Sequence, residues 1–151
     1  MSDFGELCPL FNTGMFHEIV FPGPIALTDV GTLQDLLAGT ANQSGGALAS
    51  GFMFGRTVIV TEAFIQNYET TDVETSIYLK HKTSGTQACA GTIIGTCTLP
   101  VSGSAHGLGM WKPMVSFVGK TFTSNEVLAL VKVSTNDDSG SIGLMVRYKD
   151  K

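Results

Sequence analysis

The chain has 151 residues, of which 43% are hydrophobic and 15% charged, and its net charge is −4. That length builds one domain whose core needs neither disulfides nor metal, while cations scattered singly, apart from Lys80 and Lys82, exclude the clustered positive surface that nucleic acid requires. Apolar runs stop well short of the roughly 20 residues of a membrane span, and a charged share below the usual ~25% leaves neutral surface suited to subunit or partner interfaces.

The N-terminal stretch MSDFGELCPLFNTGMFHEIVFPGP, residues 1–24, mixes apolar residues with Gly and Pro and holds no period. It reads as an extended arm, with Phe4, Leu7, Leu10, Phe11 and Phe16 as apolar anchors. Such an arm either caps an edge of its own core or docks on a neighbouring subunit. Its opening, MSDFGELCPLF, has two acidic residues and no basic n-region and is not a secretory signal, so synthesis in a cytoplasm is expected. Residues 25–151 are expected to form the single β domain.

Thr32–Gly39 predicts a short helix. Thr32 caps it, Asp35 suits the positive end of the helix dipole, Leu33, Leu36 and Leu37 share a face, and Gly39 suits the C-terminal left-handed position. Thr40–Gly55 is small and Gly-rich, a surface loop pinned at its end by Phe52 and Phe54. Arg56–Gln66 is rich in β-branched residues and reads as a strand. After the polar connection Asn67–Asp72, Val73–Lys82 alternates: Val73, Thr75, Ile77 and Leu79 on one face, Glu74, Ser76, Tyr78 and Lys80 on the other.

Thr92–Leu99 is a further strand, ended by Pro100. Ser102–Gly109 is too rich in glycine for regular structure. Trp111–Val118 returns to strand character, with Pro113 restricting it to an edge. Glu126–Ser134 and Ser141–Lys149 flank Thr135–Gly140 and predict a closing hairpin. Val127, Ala129, Val131 and Val133 would form one face, with Ile142, Leu144, Val146 and Tyr148 on the partner strand. The expected class is mainly β: an antiparallel, jelly-roll-like β-sandwich with one short N-terminal helix, a closed barrel being the competing architecture.

No catalytic constellation emerges. His17 sits among apolar residues and reads as packing, and His81 beside Lys80 and Lys82 reads as solvated. His106 occupies a glycine-rich loop but has no carboxylate near it in sequence. Ser102-Gly-Ser104 is not a nucleophile elbow. Cys and His lack metal-ligand spacings, and Asp137 and Asp138 suit a turn better than a calcium loop. Glu62, Glu69, Asp72 and Glu74 are near one another only in sequence. Gly45-Gly46 and Gly107-Leu-Gly109 lack a phosphate-loop ending. Cys8, Cys89 and Cys97 are odd in number and read as free thiols. Trp111 reads as a core or interface aromatic. The expectation is a non-enzyme without cofactor or metal.

An apolar arm, a low-charge β domain and stretches such as EAFIQNYETTDVETSIYLKHK (Glu62–Lys82) and Leu128–Tyr148 give the chain a layout that resembles the jelly-roll decoration, or cement, proteins of tailed-bacteriophage heads. The resemblance implies a homotrimer on the capsid exterior of a virion, made in the host cytoplasm. Its partner would be the major capsid protein, with no nucleic acid or membrane contact. A carbohydrate-binding jelly roll of lectin or fibre-tip type is the alternative, and it expects Trp111 or Tyr68 exposed beside the His106 loop. A small hydrolase would need His106 to meet a nucleophile and a carboxylate.

Overall fold

The computed structural model describes residues 16–27, 34–35, 51–68, 75–83, 91–99, 110–132 and 141–151. These carry ten strands: β1 (His17–Ala26), β2 (Gln34–Asp35), β3 (Phe52–Met53), β4 (Val58–Asn67), β5 (Thr75–Thr83), β6 (Thr92–Leu99), β7 (Trp111–Pro113), β8 (Lys120–Phe122), β9 (Glu126–Lys132) and β10 (Ser141–Asp150). They form two antiparallel sheets. In the first, β10 lies between β1 and β4, and β7 and β8 share the far edge of β4. In the second, β9 lies between β5 and the short pair β2 and β3, and β6 lies outside β5.

Both sheets contribute to one apolar core. β4 supplies Val58, Val60, Ala63 and Ile65, and β10 supplies Ile142, Leu144, Val146 and Tyr148. Ile77, Leu79, Leu128 and Leu130 come from the second sheet. Fully burying each aliphatic side chain is worth about 1.5–3 kcal/mol. A bulge keeps β4 in this core along its length. Val60 pairs with Tyr148 and Glu62 with Arg147, leaving Thr61 as the extra residue, and its hydroxyl donates to the Arg147 carbonyl at 3.3 Å. The inward set therefore passes from Val58 and Val60 to Ala63, Ile65 and Asn67; without the extra residue, half of β4 would turn outward. β1 is irregular between Phe21 and Ile25, where Pro22, Gly23 and Pro24 intervene. An edge strand tolerates the missing proline N–H groups.

Residues 111–122 tie the two sheets together on one side. β7 runs along β4, and the Met114 N–H donates to the Ala63 carbonyl at 2.8 Å. Val115 then exchanges two hydrogen bonds with Thr96 of β6, the Val118 N–H donates to the Ile94 carbonyl, and β8 returns to β4. The strand expected over Trp111–Val118 is thus a three-residue strand followed by a crossing. Ser116, at φ 51°, marks the turn within it.

Other expectations change. β9 and β10 are not a hairpin: β9 belongs to the second sheet and β10 to the first, so the segment between them changes sheet. β9 directs Leu128 and Leu130 into the shared core, while Ala129 and Val131 form a separate buried cluster. The β10 face is as expected. His17–Ala26 forms a strand paired with β10, so the expected arm of residues 1–24 gives up its last eight residues to the domain. Of the expected helix over Thr32–Gly39, only Gln34 and Asp35 are described, and they pair with Lys132 and Val131 as β2. No helix occurs among the described residues. Phe52 and Phe54 do anchor the end of their segment, in edge-to-face contact with each other at 5.1 Å and with Phe21 and Phe122.

Candidate functional site

The titratable groups singled out for catalysis have structural occupations where they are described. His17 stacks on Tyr148 with ring centroids 5.2 Å apart and lies 3.7 Å from Asp150. His81, expected to be solvated, is buried. It follows Ile77 and Leu79 onto the inner face of β5 and meets the edge of Phe122 at 4.8 Å. Its Nε2 is 3.1 Å from Glu126 Oε1, but out of line for a hydrogen bond. Glu126 closes the turn before β9, accepting from the Thr123 N–H at 2.7 Å. That bond, supported by His81, holds its carboxyl below the ordinary 4.5.

Glu62 is paired with Arg147, and Cys97 is a free thiol. His106, Glu69, Asp72, Glu74, Asp137, Asp138, Cys8 and Cys89 lie outside the described residues. Among the described residues no three His, Cys, Asp or Glu side chains converge as a metal site.

The outer faces of the two sheets differ sharply. On the second sheet, Val127, Ala129 and Val131 are closed to solvent, and Lys80 and Lys82 are buried with them. On the first sheet the face is more open, with Met145 buried at its centre and Phe64 and Trp111 half-buried. Its cross-strand rows run Glu18, Arg147, Glu62; then Val20, Met145, Phe64, Pro113; then Gly143, Gln66, Trp111. Phe16 is 59% exposed and Val20 48%. Alternation produces this: His17, Ile19 and Phe21 turn inward, so Phe16, Glu18 and Val20 must turn outward.

Charge on the open face is pinned in place. Arg147 Nε lies 2.6 Å from Glu18 Oε1 and Nη1 lies 3.0 Å from Glu62 Oε2. Its guanidinium carbon lies 4.8 Å from the centroid of the Phe64 ring. The two bonds, first to Glu18 and then to Glu62, raise the Arg147 pKa above its ordinary value. Exposed pairs of this kind add little stability; here they fix the orientation of three long side chains. At the far end of the face Tyr68 and Trp111 converge over Gly143. A Cβ on Gly143 would sit 3.0 Å from Tyr68 Cε2 and 3.2 Å from Trp111 Cη2.

Of the expected arm anchors, Phe4, Leu7, Leu10 and Phe11 lie outside the described residues. Phe16 is described and stands at the edge of the open face. Sequence reasoning missed Val20, Phe64 and Arg147. The alternation of Phe16 to Phe21 is the available signal, a short one that the prolines and glycine at 22–24 interrupt.

No protein-family model matches this chain, and no curated protein sequence matches it.

Proposed function

We propose that the chain is a jelly-roll sandwich that decorates the outside of an assembled phage head and holds neighbouring major capsid subunits together. The strand orders β1-β10-β4-β7 and β2-β9-β5-β6 support the jelly-roll reading. The chain changes sheet at most connections, as the double-sheet arrangement common to viral capsid and lectin domains requires. The observation that carries the functional reading is the asymmetry of the outer faces. One is closed, while the other presents Phe16, Val20, Phe64 and Trp111 around a fixed ion-pair cluster. An open apolar sheet face on a charge-poor chain is a surface for a macromolecular partner.

Phe4, Leu7, Leu10, Phe11 and Phe16 would extend that surface on the major capsid protein, with the chain acting as a homotrimer. Binding to the assembled shell and not to the free subunit stabilises the shell by mass action. Co-sedimentation of the purified chain with phage heads and, separately, with unassembled coat subunits tests this. The expected outcome is binding to heads only, lost in Val20→Asp, with a trimer by light scattering. Equal binding by wild type and Val20→Asp overturns the use of this face. The arm is tested by deleting residues 1–15, because removal up to residue 20 would also strip β1 from β10.

A second reading, carbohydrate binding, is favoured by Tyr68 and Trp111 over Gly143. The exposed Tyr68 ring beside the half-buried Trp111 offers apolar surface for a sugar ring. A glycan-array signal abolished by Trp111→Ala and absent from the head-binding assay would establish this reading over the first.

A further inference from the structure

Residues 1–15, MSDFGELCPLFNTGM, join the described fold at Phe16, which stands on the outer face of the first sheet, 59% exposed. The segment therefore meets the fold at the rim of the more open face. Its middle, Leu7-Cys8-Pro9-Leu10-Phe11, is an uncharged apolar run, and the whole segment holds no lysine or arginine. Pro9 biases itself and Cys8 toward extended backbone, the form in which a segment can lie along a sheet.

The dimensions fit. From Phe16 to the row of Val20, Met145 and Phe64 is four residues along β1 and two strands across, about 16 Å at ~3.3 Å per residue and ~4.8 Å between strands. From Phe16 to Trp111 is about six residues along the sheet and three strands across, about 25 Å. Leu10 and Leu7 are six and nine residues from Phe16, spans of up to about 20 and 30 Å. Leu10 thus reaches Val20 and Phe64, and Leu7 reaches Trp111. A trough lined by Phe64, Pro113 and Phe117 lies beside Arg147 on this path and can seat an apolar side chain.

We propose that residues 1–15 dock on the outer face of the first sheet of their own chain and cover it until a partner takes their place. Tethering at Phe16 gives the segment an effective concentration of millimolar order at the face. An intrinsic Kd below ~1 mM then keeps it docked for more than about half of the time. The free chain covers Val20, Phe64 and Trp111 with its own apolar residues, which limits self-association of a charge-poor protein. Partner binding releases both the face and the arm. That displacement rests on the head-binding function proposed above; the covering of the face in the free chain does not.

Trp111 is the only tryptophan in the chain and lies on this face, so acrylamide quenching of its fluorescence reads the cover. Deleting residues 1–15, which leaves β1 whole, is expected to raise the quenching constant about twofold or more, as removal of a segment docked for half of the time or longer implies. Leu7→Asp with Leu10→Asp in the full chain should do the same, and it decides the outcome if the deletion fails to fold. Val20→Asp should also raise quenching and add nothing to the arm variant, because both remove one contact. Equal quenching of wild type and the Leu7→Asp, Leu10→Asp chain overturns the proposal. Additive effects with Val20→Asp also overturn it, by placing the arm elsewhere, as does quenching that falls with rising protein concentration, which gives the face to the arm of a second copy. Co-sedimentation with heads is read separately. Head binding with equal quenching removes the cover and keeps the head-binding function; raised quenching without head binding keeps the cover and removes that function.

Discussion

Replacing Gly51 by alanine tests the packing of β3 on β9 more directly than any core truncation. Gly51 has φ +122°, and a Cβ there would lie 2.5 Å from the Leu128 carbonyl oxygen and 2.5 Å from Val127 Cγ1. The oxygen cannot retreat cheaply, because Leu128 pairs with Phe52 on one side and His81 on the other. The backbone conformation alone costs an L-residue about 1–3 kcal/mol, and forcing a methyl into a filled site costs about 1–3 kcal/mol more. Gly55 supplies the control: its φ is +71°, and no atom of the described residues would lie within 4 Å of a Cβ there. Gly55→Ala should therefore cost only the conformational part, about 1–2 kcal/mol.

Urea and thermal unfolding, each followed by circular dichroism, measure both variants. Gly51→Ala is expected to be destabilised by about 2–6 kcal/mol. At roughly 2–4 °C per kcal/mol for a chain of this size, its melting temperature should fall visibly below that of Gly55→Ala. If the two variants lose the same stability, β3 does not press on β9 as described and the close approach is wrong.

Leu130→Ala, at a site shared by both sheets, should lose about 2–5 kcal/mol, whereas Val20→Ala on the open face should stay within about 0.5 kcal/mol; the same unfolding assay compares them. Glu126 has a folded pKa below its ordinary 4.5, so its contribution is complete above that value and is lost as pH falls through the lower folded value. The stability gap between wild type and Glu126→Gln should accordingly be constant above pH 4.5 and shrink below it; a gap that grows on acidification contradicts the assignment. Cys97, raised from 9.0 to about 11 by burial, should alkylate with iodoacetamide about a hundredfold more slowly in the native chain than in urea, measured in a Cys8→Ser, Cys89→Ser background. Similar rates in the two conditions would show that the thiol is not buried as described.

Local pattern determined a good deal of this molecule. The alternation through Ile77 and Leu79, and through Ile142, Leu144, Val146 and Tyr148, identified inward faces that the core confirms, because side-chain direction in a strand follows from backbone geometry alone. The mainly β class and the anchoring role of Phe52 and Phe54 were legible for similar reasons. Pattern does not name a strand's partner, and here it misled. β9 and β10 follow one another with turn residues between them, yet each pairs within a different sheet. Nor could alternation reveal that β9 is buried on both faces, hiding Val127, Ala129 and Val131 along with Leu128 and Leu130.

The features that matter most for binding are likewise tertiary. One extra residue at Thr61 decides which side chains of β4 face inward, Asn67 among them. Arg147 meets Glu18 and Glu62 only because β10 lies between β1 and β4, bringing together residues 129 and 85 positions apart in the chain. Sequence determined what each strand could present. The order of strands in the two sheets decided which faces were covered and which stayed open.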